Sequence, residues 1–177
     1  MIENKETWIK TGYKMFALEG FREIKIERLA KKVGVSKSSF YHYFADLDTF
    51  FEQLLELHIG QARVLAVKEQ QARNISPELI GILLEHRIDL LFNRELRVHR
   101  NIRAFADALE QSNLIVGNSF VNIWVQELNL RLSPPQLEAL FELALENFFL
   151  QINAENLNRE WLAAYFTELK RIASNFR

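Results

Sequence analysis

Residues 26–44, IERLAKKVGVSKSSFYHYF, decide the fold class. Ile26, Leu29, Ala30 and Val33 recur with a period near 3.6, which predicts a short helix with one apolar face. Gly34 stops that helix, because the position just past a helix end favours a left-handed backbone that glycine adopts without strain. Ser36 follows where a side-chain oxygen can accept an orphaned backbone N–H, which predicts the cap of a second helix. Ala30 is small enough for the two helices to cross closely, with Val35, Phe40 and Tyr43 turned inward to lock the crossing. Lys37, Ser38, Ser39, Tyr41 and His42 are left outside. This is the plan of a helix-turn-helix, whose second helix enters the DNA major groove.

Working outward, the chain of 177 residues is long enough for one or two domains with a real core. Three prolines and six glycines predict long uninterrupted helices and an all-α fold. The absence of cysteine excludes disulfides and thiolate metal sites. No apolar run reaches the roughly 20 residues of a membrane span and no amino-terminal signal pattern is present, so the expectation is a cytoplasmic protein without membrane contact. The net charge of −1 conceals a division. Residues 25–44 hold Lys25, Arg28, Lys31, Lys32 and Lys37 against Glu27 alone. Local charge, and not the total, sets the field that a phosphate backbone meets.

Nine helices are predicted, over about 3–19, 26–33, 36–44, 47–72, 77–93, 95–111, 114–131, 134–152 and 157–175. Gly20 ends the first, Asp46 caps the fourth, Ser76-Pro77 opens the fifth, and Ser133 with Gln136 forms a capping box for the eighth. Residues 1–46 make a helix-turn-helix domain, and residues 47–177 a helical effector-binding and dimerisation domain, with helix 47–72 bridging the two. Leu137, Leu140, Phe141, Ala144, Leu145, Phe148, Phe149 and Ile152 form a stripe wider than one neighbouring helix can cover. Together with Trp161, Tyr165 and Leu169 of the last helix, Leu137, Phe141 and Phe148 predict a four-helix seam with a second copy of the chain.

The stretch from Gly20 to Phe44 resembles the TetR family of transcriptional regulators. The matching residues are Gly20-Phe21, Ile26, Leu29-Ala30, Val33-Gly34-Val35-Ser36-Lys37, Tyr41-His42 and Phe44. The resemblance implies a homodimer that binds a palindromic operator in double-stranded DNA, usually as a repressor, and is released when a small-molecule effector enters the carboxy-terminal domain. By position, it implies that Lys37, Ser38 and Ser39 face bases or nearby phosphates. It further implies that Tyr41 and His42 hold phosphates and that Lys25 and Arg28 clamp the backbone. Three departures stand out. Lys25 replaces the usual hydroxyl cap, Ser38 stands where glycine is frequent, and Leu47, between Asp46 and Asp48, replaces a lysine that opens the fourth helix.

For the effector, His86 reads as a polar group lining a cavity or as a hydrogen-bonded core histidine. Phe92, Phe105, Phe120 and Trp124 read as walls of an apolar pocket or as plain core. Arg94, Arg97, Arg100 and Arg103, with His99, read first as a solvated face, and second as a contact with an anionic ligand or with the helix-turn-helix domain. His42, His58, His86 and His99 have no metal-ligand spacing, and no nucleophile motif or glycine-rich phosphate loop is present. No catalytic residue, cofactor or metal is expected. A second reading of the whole is a helical dimer that acts through a protein partner and keeps a weak DNA-binding head.

Overall fold

The computed structural model describes residues 4–128 and 133–174, without the side chains of 118–122, 124–126, 128, 173 and 174. The described residues form an all-α fold of nine α-helices: α1 Lys5–Glu19, α2 Ile26–Val33, α3 Lys37–Phe40, α4 Leu47–Gln71, α5 Ile80–Glu85, α6 Arg87–Val98, α7 Arg103–Leu128, α8 Pro134–Gln151 and α9 Arg159–Ser174.

Local chemistry explains most of the ends. Asn4 Oδ1 accepts from Thr7 N at 2.8 Å to start α1, and Asp46 Oδ1 accepts from Thr49 N at 2.8 Å to start α4. Gly34 ends α2 at φ 88°, ψ 28°, with its N–H donated to Ala30 O at 2.9 Å, as the glycine turn requires. At the start of α8, Gln136 Oε1 accepts from Ser133 N at 3.0 Å, so the predicted capping box is formed.

The middle of the chain divides differently from the sequence expectation. The predicted helix 77–93 is two helices, parted at His86, whose backbone sits at φ −94°, ψ 22°. Asp89, in the first turn of α6, holds His86 Nδ1 at 2.7 Å and places its charge at the positive helix end. The start also moves: Asn74, and not Ser76, accepts from Glu78 N, at 3.1 Å, ahead of a wide turn over Ile75–Leu79. The predicted break near residue 112 is absent, and α7 runs through it. Ser112 Oγ donates to Leu109 O at 2.9 Å within the helix, and Asn93 and Arg97 of α6 bond Ser112 and Asn113. The real break falls at residues 99–102, where His99 packs its ring on Phe21 with centroids 4.6 Å apart.

Two apolar clusters make the core. The first joins Trp8, Phe16, Leu29 and Phe40 to Phe50 and Leu54 of α4, Phe92 and Leu96 of α6, and Phe105 of α7. The second joins Leu65 of α4 to α5, Leu90, Leu91, Ile123, and Phe148, Phe149, Leu162 and Phe166 of the last two helices. The helix-turn-helix therefore shares one core with the near ends of α4, α6 and α7. Gly12 makes this packing close: a Cβ there would lie 2.3 Å from the Phe50 ring, and Phe50 is fully buried. Alanine in a helix ordinarily gains about 1 kcal/mol over glycine. In this position the overlap with a trapped ring outweighs the gain. Gly12→Ala is expected to lower unfolding stability by roughly 1–3 kcal/mol in urea titrations; an unchanged or higher midpoint would show that the packing of α1 on α4 is loose.

Candidate nucleic-acid interface and central cavity

The exposed face of the head is built on α3, only one turn long and anchored from beneath by Phe40, which is fully buried and packed edge-on against Trp8 at 5.5 Å. With Phe40 inside, Lys37, Ser38, Tyr41 and His42 are exposed and Ser39 is half-buried. The Tyr41 side chain, 53% exposed, stands edge-on to Phe40 with centroids 5.6 Å apart. Ser36 occupies the cap position without a side-chain bond to the backbone. Its hydroxyl instead meets Ser38 Oγ at 2.8 Å and Ser39 Oγ at 3.3 Å, so the three serines form one polar cluster at the start of α3.

The cations of this face are partly committed within the chain. Lys37 Nζ pairs with Glu27, which raises the lysine's pKa and lowers the glutamate's. Arg28 is held by Glu19 at 2.8 Å and by Glu23, and Lys32 by Glu19 at 2.7 Å. Arg28 thus braces α2 against the end of α1 in the free protein. Lys25 is exposed at the start of α2 and makes no capping bond, as its replacement of a hydroxyl predicts. Leu47 is half-buried and packs on the core of the head, which gives an apolar reason for its place between two aspartates.

Behind the head, a polar hub lies between the two apolar clusters. The Tyr13 hydroxyl lies 2.8 Å from Asp89 Oδ1 and 2.9 Å from His58 Nδ1. Burial and the neighbouring Asp89 push the Tyr13 pKa well above the ordinary phenol value. The hydroxyl has one proton and gives it to the carboxylate, so His58 Nδ1–H donates to the tyrosine oxygen. That leaves His58 Nε2 as a bare acceptor, without a partner among the described residues. Burial lowers the His58 pKa to about 3, which keeps the ring neutral.

His58 opens onto a cavity of about 60 Å³ enclosed by α4, α5, α6, α7 and α8. Its walls include Leu65, Leu83, Leu90, Phe141, Phe148 and Phe149, with Glu69, Asn93 and Asp89 as polar members. Glu69 is 1% exposed, its Oε2 has no hydrogen-bond partner among the described residues, and burial raises its pKa to about 8. Sequence reasoning passed over Glu69, Asn93 and Asp89. The available signal was register: His58, Ala62, Leu65 and Glu69 fall on one face of α4, where a glutamate is out of place among apolar residues.

The sequence-derived pocket residues are distributed otherwise. Phe92 stacks on Phe16 at 4.0 Å, Tyr13 at 4.3 Å and His58 at 4.7 Å, and Phe105 stands edge-on to Phe16 and Phe21 at 5.5 and 5.3 Å. Both belong to the core of the head and not to the cavity wall, because α6 and α7 turn those positions toward α1. His86 stands behind Asp89, outside the wall. The side chains of Phe120 and Trp124 lie outside the described residues.

Two further expectations shift. The arginine run divides: Arg100 and Arg103 are exposed and Arg94 is half-buried, as a solvated face requires, but Arg97 is not. Arg97 is buried over the Phe149 ring at 4.8 Å and pairs with Glu146, which Arg100 also reaches at 3.3 Å. Among the residues expected at a dimer seam, Phe148 is buried within the chain and Phe141 lines the cavity. Leu137, Trp161, Tyr165 and Leu169 are half-buried. Leu143 and Leu150, each 70% exposed, are the large apolar side chains that α8 turns outward. Among the described residues, no helix is long and apolar enough to cross a membrane, and no group of three His, Asp or Glu could hold a metal ion.

A three-helix head with a glycine turn, set on a helical body with an internal cavity, is the architecture of a helix-turn-helix protein. Residues 9–54 match the family described as bacterial regulatory proteins, tetR family. The chain is similar to two uncharacterized HTH-type transcriptional regulators of Bacillus subtilis (strain 168). To YerO it is 25% identical over 130 residues, 73% of this chain and 43% of that protein. To YdgC it is 30% identical over 54 residues, 30% of this chain and 28% of that protein. The chain thus spans less than half the length of either relative. A crystal structure from Rhodococcus sp., ascribed to a TetR-family transcriptional regulator, superposes with a TM-score of 0.56 at 20% identity. It covers 93% of this chain and 97% of that one, and shows the same fold.

The raised Glu69 pKa has a thermodynamic consequence. Between about pH 4.5 and pH 8 the folded chain keeps a proton on Glu69 that the unfolded chain releases. The stability this contributes is full below pH 4.5 and is lost as pH rises toward 8. His58 acts in the opposite direction, below its ordinary 6.5, and does so equally in a Glu69→Gln variant. Glu69→Gln should therefore gain on the wild type by roughly 2–4 kcal/mol between pH 5 and pH 8 in urea unfolding. Parallel pH profiles for the two proteins would mean that Glu69 is solvated.

Proposed function

We propose that the chain is a homodimeric, sequence-specific DNA-binding regulator, a repressor of a palindromic operator that is released when a small molecule enters the central cavity. The observation that carries this reading is the face of α3. Lys37 and Ser38 stand exposed on a helix whose inner side is pinned by Phe40, and Tyr41 and His42 stand exposed in the turn that follows it. Cations and hydroxyls on phosphate supply affinity, and short side chains beside them admit close approach to base edges. A second copy fits the outward-facing Leu143 and Leu150 of α8. The proposed DNA contacts are Lys25, Arg28, Lys37, Ser38, Ser39, Tyr41 and His42. Arg28 and Lys37 reach phosphate by leaving Glu19, Glu23 and Glu27.

The same ion pairs favour a second reading, a helical dimer acting through a protein partner, because they remove charge from the reading face. The two readings part on mutation. With a duplex selected for binding, Lys37→Ala and Tyr41→Ala are each expected to weaken affinity about tenfold. Removing a cation from a phosphate lowers the slope of log affinity against log salt by about 1, so Lys37→Ala should show that change as well. Fluorescence anisotropy across salt concentrations measures both quantities, with circular dichroism to confirm folding. Wild-type affinity in both variants would remove α3 from the interface.

A further inference from the structure

We propose that the central cavity takes a protonated alkylamine: a slender apolar body whose ammonium group is held by Glu69. This rests on reading the cavity as the effector site and names the chemistry of what enters it. Three buried polar atoms on the wall have no hydrogen-bond partner among the described residues: Glu69 Oε2, His58 Nε2 and Asn93 Oδ1. His58 Nε2 and Asn93 Oδ1 are acceptors, and Glu69 Oε2 becomes one when a cation takes the place of the carboxyl proton. Asn93 already spends its Nδ2 on Ser112 Oγ at 3.1 Å, and the Tyr13 bond fixes the lone pair of His58 on Nε2. A complementary ligand therefore brings donors, and an ammonium group is donors only.

Charge points the same way. Among the described residues no lysine or arginine lines the cavity, whereas Glu69 and Asp89 do. Asp89 is already satisfied by Tyr13 and His86. The α7 residues on the wall, Ser112, Asn113, Val116 and Gly117, carry no charge, so α7 supplies no cation for Glu69. An anionic ligand holds Glu69 in its neutral form and brings no donor to His58 Nε2 or Asn93 Oδ1. A cation gives Glu69 the partner it lacks, in a setting where a charge-assisted hydrogen bond is strong. The body of the ligand follows from the remaining wall. His58 and Glu69 lie eleven positions apart on α4, about 16 Å along the helix axis. The cavity, about 60 Å³, is small, and Ala62, Leu65, Leu145 and Phe148 make it apolar. A straight alkyl chain matches it better than a fused ring system.

The test compares n-hexylamine with 1-hexanol and hexanoate, which share its chain and replace the cation by a neutral or an anionic end. Calorimetric titration into the full-length protein at neutral pH should show hexylamine binding at least about tenfold tighter than either counterpart. Glu69→Gln, nearly the same shape, should bring hexylamine and hexanol within about threefold of each other. Glu69→Met serves if the glutamine variant does not fold. Equal affinities for the three compounds, a preference for hexanoate, or no binding of hexylamine overturns the proposal, and so does a hexylamine preference that survives in the variants. Anisotropy with the selected duplex is run in parallel. DNA binding that persists while hexylamine fails leaves the regulator reading standing and rejects only the ligand class. Tight hexylamine binding by a protein that selects no duplex does the reverse.

Discussion

The Tyr13 hydroxyl has one proton and two buried neighbours, and that constraint organises the centre of the molecule. Its proton goes to Asp89, so His58 must donate from Nδ1 and present a bare Nε2. Asp89 in turn holds His86, where the chain breaks between α5 and α6. The same tyrosine ring stacks on Phe92, which stacks on Phe16 and His58. One residue of the head thereby sets a tautomer at the cavity and, through Asp89, joins the network that holds His86 at the break between α5 and α6. Removing a partner from such a buried network leaves a polar group unsatisfied, which costs about 1–3 kcal/mol for each neutral group and more for a charge. The head and the cavity are consequently parts of one packed unit, with no polar linker between them.

The ion pairs around α2 and α3 give the head a second character. Glu19, Glu23 and Glu27 occupy Arg28, Lys32 and Lys37 in the free protein. Exposed pairs of this kind contribute little to stability, and salt screens them. On the proposed function, exchanging them for phosphate is therefore inexpensive, and the carboxylates left behind would repel a misplaced backbone. Such an arrangement favours register over indiscriminate attraction, in keeping with a chain whose net charge is −1.

What was legible in the sequence was local. Gly34 stands in a left-handed conformation, Asp46 caps α4, and Gln136 closes a box on Ser133, each because the residue satisfies a backbone need within a few positions of itself. What was not legible depends on residues distant along the chain. Nothing at His99 stops a helix; its ring does so by packing on Phe21. Ser112 and Asn113 resemble a break, yet Asn93 and Arg97 take up their polar groups and the helix continues. Phe92 and Phe105 have the composition of a pocket wall, but the turns of α6 and α7 aim them at α1. Because α8 is apolar nearly all round, its pattern alone does not say which side faces a partner; burial of Ala144 and Phe148 turns Leu143 and Leu150 outward. Glu69 is the reverse case, a charged residue that register placed inside.

Reading of DNA by α3, in a two-fold dimer, is the central functional claim. Selection of bound duplexes from a random-sequence pool by the full-length protein, followed by sequencing, tests it most directly. The expected result is enrichment of one inverted repeat whose two half-sites are both protected by the protein. A pool that stays unenriched after successive rounds, or that converges on a single asymmetric site, would contradict it.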